Sequence, residues 1–128
     1  MSSPNDPLVW VAIAEEDFAI AQSALRRKHP FTYSACFHAQ QCAEKYLKAL
    51  LISRKQKFSK VHDLLVLNNQ CAAVGILLGM DTTQLDTLSG YGVRARYPDD
   101  ILTVEEARKA VETAKAVRRF ARKFLSLK

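Results

Sequence analysis

The chain has 128 residues, 48% of them hydrophobic and 25% charged, with four glycines and four prolines. That is the composition of one globular domain; it excludes a disordered tail and argues against a turn-rich all-β fold. The net charge of +6 is unevenly placed: residues 108–128 hold eight Lys and Arg against one acid, Glu112, while residues 1–107 hold 11 bases and 12 acids.

Asn5 or Asp6 can cap a first helix with Pro7 at its first position, where the missing N–H costs nothing. Trp10, Ile13, Ala14, Asp17, Phe18, Ala21 and Leu25 then recur at steps of three and four, a helical period that runs to about Lys28. Asp17 falls on the apolar side and reads as an acid paired with a base on a neighbouring helix. Pro30 marks a break. From Phe31 to about Ser53 a second helix carries two adjacent ridges, Tyr33, Phe37, Gln40, Glu44, Leu47 and Leu51 beside Cys36, Ala39, Ala43, Leu47 and Leu50. Its small middle residues allow another helix to approach closely. Glu44 and Lys48 form an i,i+4 pair worth a few tenths of a kcal/mol if exposed.

Arg54 to Lys60 is a basic polar connector. A third helix starts at Ser59 or His62 and ends near Gly75 or Gly79. Asp81, Thr82 or Thr83 can cap a fourth helix containing Leu85 and Leu88. Gly90 and Gly92 weaken that helix by about 1 kcal/mol each, and it ends before Pro98. After the Asp99-Asp100 loop, Thr103 and Glu106 form a capping box for a final helix. Val104, Ala107, Val111, Ala114, Val117, Ala121, Phe124 and Leu125 are its inward stripe. No strand pattern, repeat or internal linker competes. The expected fold is a single all-α domain over residues 1–128, an antiparallel up-and-down bundle of four to five helices.

Cys36, Cys42 and Cys71 make no Cys-x-x-Cys pair, and an odd number cannot pair fully within one chain, which reads as reduced and cytoplasmic. The opening Met-Ser-Ser-Pro-Asn-Asp-Pro lacks a basic segment followed by an apolar stretch, so no signal peptide is expected. No run approaches the roughly 18 apolar residues that span a bilayer, so no membrane association is expected.

The second helix reads Phe37-His38-Ala39-Gln40-Gln41-Cys42-Ala43-Glu44-Lys45-Tyr46-Leu47-Lys48-Ala49-Leu50-Leu51. A basic loop and His62-Asp63-Leu64 follow, and then Arg94-Ala95-Arg96-Tyr97-Pro98-Asp99. With Glu15-Glu16-Asp17-Phe18 in the first helix, this order resembles the HEPN domain (higher eukaryotes and prokaryotes nucleotide-binding) over nearly the whole chain. The resemblance implies a small helical bundle that forms a homodimer. It also implies a minimal nucleotidyltransferase as partner, in a two-gene, toxin–antitoxin-like pair. Some branches of the family are metal-independent RNases that use an Arg followed after four to six residues by a His. That motif is absent here. Seven residues separate Arg54 from His62, and His62 is the last histidine, so none follows Arg94 or Arg96.

Arg94 and Arg96 with Tyr97 form the leading constellation for a nucleotide or RNA phosphate, since Arg offers a bidentate fork and Tyr a stacking face. The alternative is an Arg that pairs Asp17, Glu44 or Asp99 and fixes a helix end. His62 and Lys45 are further candidates for ligand contact; capping by the His62-Asp63 pair and an ion pair with Glu44 are the structural readings of these positions. In the basic C-terminal run, Arg108, Lys115, Arg118, Arg119 and Arg122 form either a solvated helix face or a docking surface for RNA or an acidic partner. No aromatic platform interleaves that run. No catalytic set, metal or cofactor is expected. His38 and Cys42 share a face but make only half a metal site, and no nucleophile elbow, phosphate loop or dinucleotide glycine pattern occurs. Function thus reads as a non-catalytic nucleotide- or RNA-binding module. The alternatives are a divergent RNase toxin, with Tyr97 or His62 as the proton-transfer group, and a structural adaptor.

Overall fold

The computed structural model describes residues 3–58, 60–95 and 101–128. Among them are five helices and no strand: α1 (Pro7–Arg26), α2 (Thr32–Ser53), α3 (Leu64–Ala73), α4 (Thr82–Arg94) and α5 (Val104–Phe124). The expected all-helical fold is the observed one.

Asp6 caps α1, its carboxylate accepting from Leu8 N at 2.9 Å, with Pro7 at the first position. The connection to α2 is short, and the Phe31 N–H donates to the Ala24 carbonyl at 3.0 Å, so α2 returns antiparallel along α1. Within α1 the buried stripe is Val11, Ala14, Phe18, Ala21 and Ala24. It is rotated slightly from the expected one: Ile13 is on the outer side, 41% exposed, and Leu25 is half-buried.

The central helix is α2, which packs against all four others. Its small residues Ala35, Cys36, Ala39, Cys42 and Ala43 are fully buried, the sequence feature that lets neighbouring backbones close in on it. The connector after α2 turns back, so that α3 begins beside the middle of α2. There the carbonyl of His62 accepts from Gln40 Nε2 at 3.0 Å. That contact holds His62 out of the helix. Consequently α3 starts at Leu64 with Asp63 as its cap, later than expected; Ser59, the other expected start, lies outside the described residues. The helix stops at Ala73 because Gly75 takes a left-handed φ of 82° and Ile76 N returns to the Cys71 carbonyl, a glycine-terminated helix end.

Asp81 caps α4, accepting from Thr83 N at 2.8 Å. The helix continues through both glycines because Leu85, Leu88 and Tyr91 are buried along one face, and burial of that size exceeds the propensity cost. The two glycines differ. A Cβ on Gly92 would sit 3.3 Å from the Gln40 side chain, so Gly92 allows α4 to lie close on α2, whereas a Cβ on Gly90 would meet only Arg94 Cδ at 3.9 Å. Gly90→Ala is therefore expected to stabilise the domain by about 0.5–1 kcal/mol, a rise of a few degrees in a thermal melt. Gly92→Ala should show a smaller gain or a loss; equal gains at both sites would contradict this packing.

The final helix opens with the expected capping box: Thr103 Oγ1 accepts from Glu106 N at 3.0 Å, and Glu106 Oε2 accepts from Thr103 N at 3.1 Å. Ala107, Val111, Ala114, Val117 and Ala121 are buried as expected, Phe124 and Leu125 are half-buried, and Val104 is 41% exposed.

Candidate functional site

On α2, Gln40, Glu44 and Lys48 follow one another at spacing four and form a buried polar stripe, with Glu44 only 1% exposed. The Glu44 carboxylate accepts from Lys48 Nζ at 3.0 Å and lies 2.9 Å from His62 Nδ1. It also receives Gln40 Nε2 at 3.3 Å and Lys45 Nζ at 3.5 Å. Burial by itself would raise the Glu44 pKa. The hydrogen bonds from His62 and Lys48 and the charges of Lys45 and Lys48 outweigh it, so the carboxyl is held below its ordinary value. The Glu44–Lys48 pair is thus an interior pair and not the weak surface pair that spacing alone suggests.

Because an ionised carboxylate only accepts, His62 Nδ1 must donate to it. The imidazole is anchored on one edge while the side chain remains 74% exposed. It stands at a cleft of about 370 Å³ between the start of α3, α2 and α4, lined by Gln41, Asp63, Asp86, Ser89 and Val93. Ser89 Oγ accepts from the Leu64 N–H at 3.0 Å, fixing that end of α3. Lys45 reaches Gln41 Oε1 at 3.0 Å as well as Glu44. His62 and Lys45 are therefore brought together on one carboxylate, and Asp63 is the α3 cap, accepting from Leu65 N at 2.9 Å.

Arg94, at the end of α4, belongs to a different cluster. Its Nη2 lies 3.4 Å from Glu106 Oε1, its guanidinium sits 5.3 Å from the Tyr91 ring centre, and the Tyr91 hydroxyl donates to the same oxygen at 3.2 Å. Arg94 thus pairs with Glu106, an acid at the start of α5. Capping by Thr103 lowers the Glu106 pKa, helped by Tyr91 and Arg94, and burial raises the Tyr91 pKa to about 12. Arg96, Tyr97 and Asp99 lie outside the described residues. Asp17 has the base expected for it, His38 Nδ1 at 2.8 Å on α2.

The C-terminal basic run divides. Arg118 grips Glu15 of α1 with Nε and Nη2 at 2.7 and 2.8 Å. Arg122 lies 3.6 Å from Glu15, 3.4 Å from the Tyr46 hydroxyl and 2.9 Å from the Lys128 carbonyl. The Tyr46 hydroxyl also donates to Glu15. Arg108 pairs Glu105 one turn earlier. Lys115 and Arg119 are exposed, with no acidic partner among the described residues. Glu15 as the hub of three helices has no local signal in the sequence, since its contact with Arg118 spans 103 positions.

Burial pushes the thiols of Cys36 and Cys71 up to about 12 and that of Cys42 higher still, so none supplies a thiolate nucleophile. Among the described residues no cluster of three His, Cys, Asp or Glu is placed to hold a metal ion, and no helix is long and apolar enough to cross a membrane.

The model of the HEPN domain matches residues 8–124, nearly the whole chain. The chain belongs to the HEPN domain family. Among solved structures, this HEPN domain is similar to TT1696 from Thermus thermophilus, with 26% identity and a TM-score of 0.75, over 93% of this chain and 98% of that one. No curated protein matches it. Within this HEPN domain, then, the histidine after the basic connector is tied to the central helix through Glu44, while the arginine at the end of α4 is tied to the start of α5.

Proposed function

We propose that this HEPN domain is a non-catalytic nucleotide- or RNA-binding module. It acts as a homodimer beside a minimal nucleotidyltransferase in a two-gene, toxin–antitoxin-like system. The observation that carries the binding role is the His62 side chain, exposed at a cleft and held in place by a buried carboxylate that also holds Lys45 and Lys48. In its imidazolium form, with Nδ1–H given to Glu44, His62 offers Nε2–H to a phosphate oxygen without a large ordering cost. Arg94, with Arg96 and Tyr97 after it in the chain, extends the phosphate-contacting set at the end of α4. The non-catalytic part of the reading rests on the missing histidine after those arginines, since cleavage of a phosphodiester calls for placed proton-transfer groups.

Calorimetry with ATP, GTP and a short RNA tests it. Binding is expected, weakened about tenfold or more by His62→Ala, the usual size of one lost hydrogen bond to a charged group. The RNA should be recovered intact. Absence of binding to all three ligands would leave the structural adaptor, and RNA cleavage abolished by Arg94→Ala would overturn the non-catalytic reading. Co-purification with the product of an adjacent nucleotidyltransferase gene checks the pairing.

One observation favours the enzymatic alternative. A carboxylate bonded to one imidazole nitrogen is the arrangement that orients a histidine as a general base. In a divergent RNase toxin, His62 would take that role. Growth arrest on expression, relieved by His62→Ala, is its signature.

A further inference from the structure

A second cluster lies toward the C-terminal end of α2. Trp10 of α1 and Phe58 of the connector pack edge to face with ring centres 5.2 Å apart. The Lys48 ammonium, already held on Glu44, stands 5.1 Å from the Phe58 ring and 5.7 Å from the Trp10 ring, so a fixed cation steadies both rings from within the domain. The indole N–H is satisfied by the Pro4 carbonyl at 2.7 Å. What the half-buried Trp10 and Phe58 offer a ligand is therefore ring surface and not a donor. The two rings line a cavity of about 530 Å³ together with Ile52, Lys55, Lys57 and Lys60, and no acid among the described residues lines it.

The charge pattern around this cavity is one-sided. The connector from residue 54 to residue 60 contains Arg54, Lys55, Lys57 and Lys60 and no acid. Arg54 turns away to the Phe124 ring. Lys55, Lys57 and Lys60 are exposed and have no acidic partner among the described residues. By contrast, the cleft at His62 includes Asp63 and Asp86, and the groove between α4 and α5 includes Glu106 and Glu112. Lys55 also holds a left-handed φ of 57°, a conformation that favours Gly or Asn.

We propose that the Trp10–Phe58 cavity is a binding site for single-stranded RNA: one base stacks on the aromatic pair, and the flanking phosphates lie on Lys55, Lys57 and Lys60. An aromatic platform flanked by unpaired cations is the physical requirement for sequence-tolerant single-strand binding. This deepens the nucleotide- or RNA-binding reading by naming a polynucleotide and a site apart from His62 and Arg94.

The test uses the full-length chain and a 12-nucleotide single-stranded oligoadenylate RNA. Trp10 is the only tryptophan, so its fluorescence reports this cavity alone. The expected results are quenching of Trp10 emission by the RNA and a salt-dependent affinity. Substituting Lys55, Lys57 and Lys60 together by Gln, on exposed positions that leave the fold intact, should weaken binding tenfold or more and reduce the slope of log K against log salt by about two. Phe58→Leu, which keeps apolar packing, should weaken binding about fivefold or more. Lys55→Gly should weaken RNA binding while holding or raising the melting temperature. RNA binding without Trp10 quenching, or unaffected by the triple substitution, overturns the proposal even if His62→Ala abolishes ATP binding. Equal affinity for ATP and the oligonucleotide, with equal quenching, also overturns it in favour of a mononucleotide pocket. Conversely, lysine-dependent quenching with no effect of His62→Ala supports this site and removes the one at His62.

Discussion

Glu44→Ala is expected to destabilise the domain by about 3–5 kcal/mol, the range for removing one partner from a buried ion pair. Tm should fall by roughly ten degrees or more. The carboxylate is 1% exposed, and Lys48 beside it only 8%. Without Glu44 the Lys48 ammonium stays in the interior with no counter-charge, and Gln40 Nε2 and His62 Nδ1 lose an acceptor. The loss comes mainly from what is left unpaired. A double substitution, Glu44→Met with Lys48→Met, should therefore be much less harmful than Glu44→Ala alone, because it removes both charges and keeps the volume filled. Chemical denaturation of the three proteins decides the point. A single variant within about 1 kcal/mol of the parent, or a double variant no better than the single, would show that the pair does not organise this part of the core.

Replacement of Glu15 should have the next largest effect, about 2 kcal/mol for Glu15→Gln near neutral pH. That figure reflects hydrogen bonds to a charged group, reduced because Glu15 is 32% exposed and partly screened. Glu15 receives Arg118 through two nitrogens and the hydroxyl of the fully buried Tyr46. Through these contacts it joins α1, α2 and α5. The bond from Arg118 is the leading cause that holds its carboxyl below the ordinary value, against the effect of burial. A carboxyl with a depressed folded pKa stabilises fully above the unfolded pKa, and the stabilisation is lost as pH falls through the folded value. The deficit of Glu15→Gln relative to the parent should accordingly be full at pH 7 and shrink as the pH drops below about 4.3, the ordinary range for a glutamate. A deficit that does not change between pH 7 and strongly acidic solution would refer the effect to shape and not to charge.

Both hubs were hidden in the sequence for the same reason. Spacing along one helix identifies Glu44 and Lys48 as neighbours, but it says nothing of how much protein covers them; the cover comes from the connector and α3. Glu15 stands in a run of three acids, Glu15-Glu16-Asp17, and no local pattern distinguishes the one that faces α5. The basic C-terminal run was visible as charge, yet the use of Arg118 and Arg122 depends on a contact with α1 across most of the chain. The one-step rotation of the α1 stripe, with Val11 inside and Ile13 outside, has a similar origin. Two apolar residues flank the true face, and only the packing against α2 selects between them. Trp10 and Phe58 are the strongest case. They stand far apart in the chain, and each read alone is an ordinary apolar residue.

Local chemistry determined the helices themselves. Asp6 with Pro7, Asp63, Asp81 and the Thr103–Glu106 box act within three residues of their own position, so their effect is written in the order of the chain. Apolar periodicity then settles the all-helical class, and the block around α2 with His62-Asp63-Leu64 marks the family. The tertiary structure decided the rest: the burial of Glu44, the pairing of Arg94 with Glu106, the hub at Glu15 and the cavity under the lysine-rich connector. Each of these is a matter of solvent exclusion and approach between side chains from different helices. Both depend on how the five helices lie against one another, and no single segment contains that information.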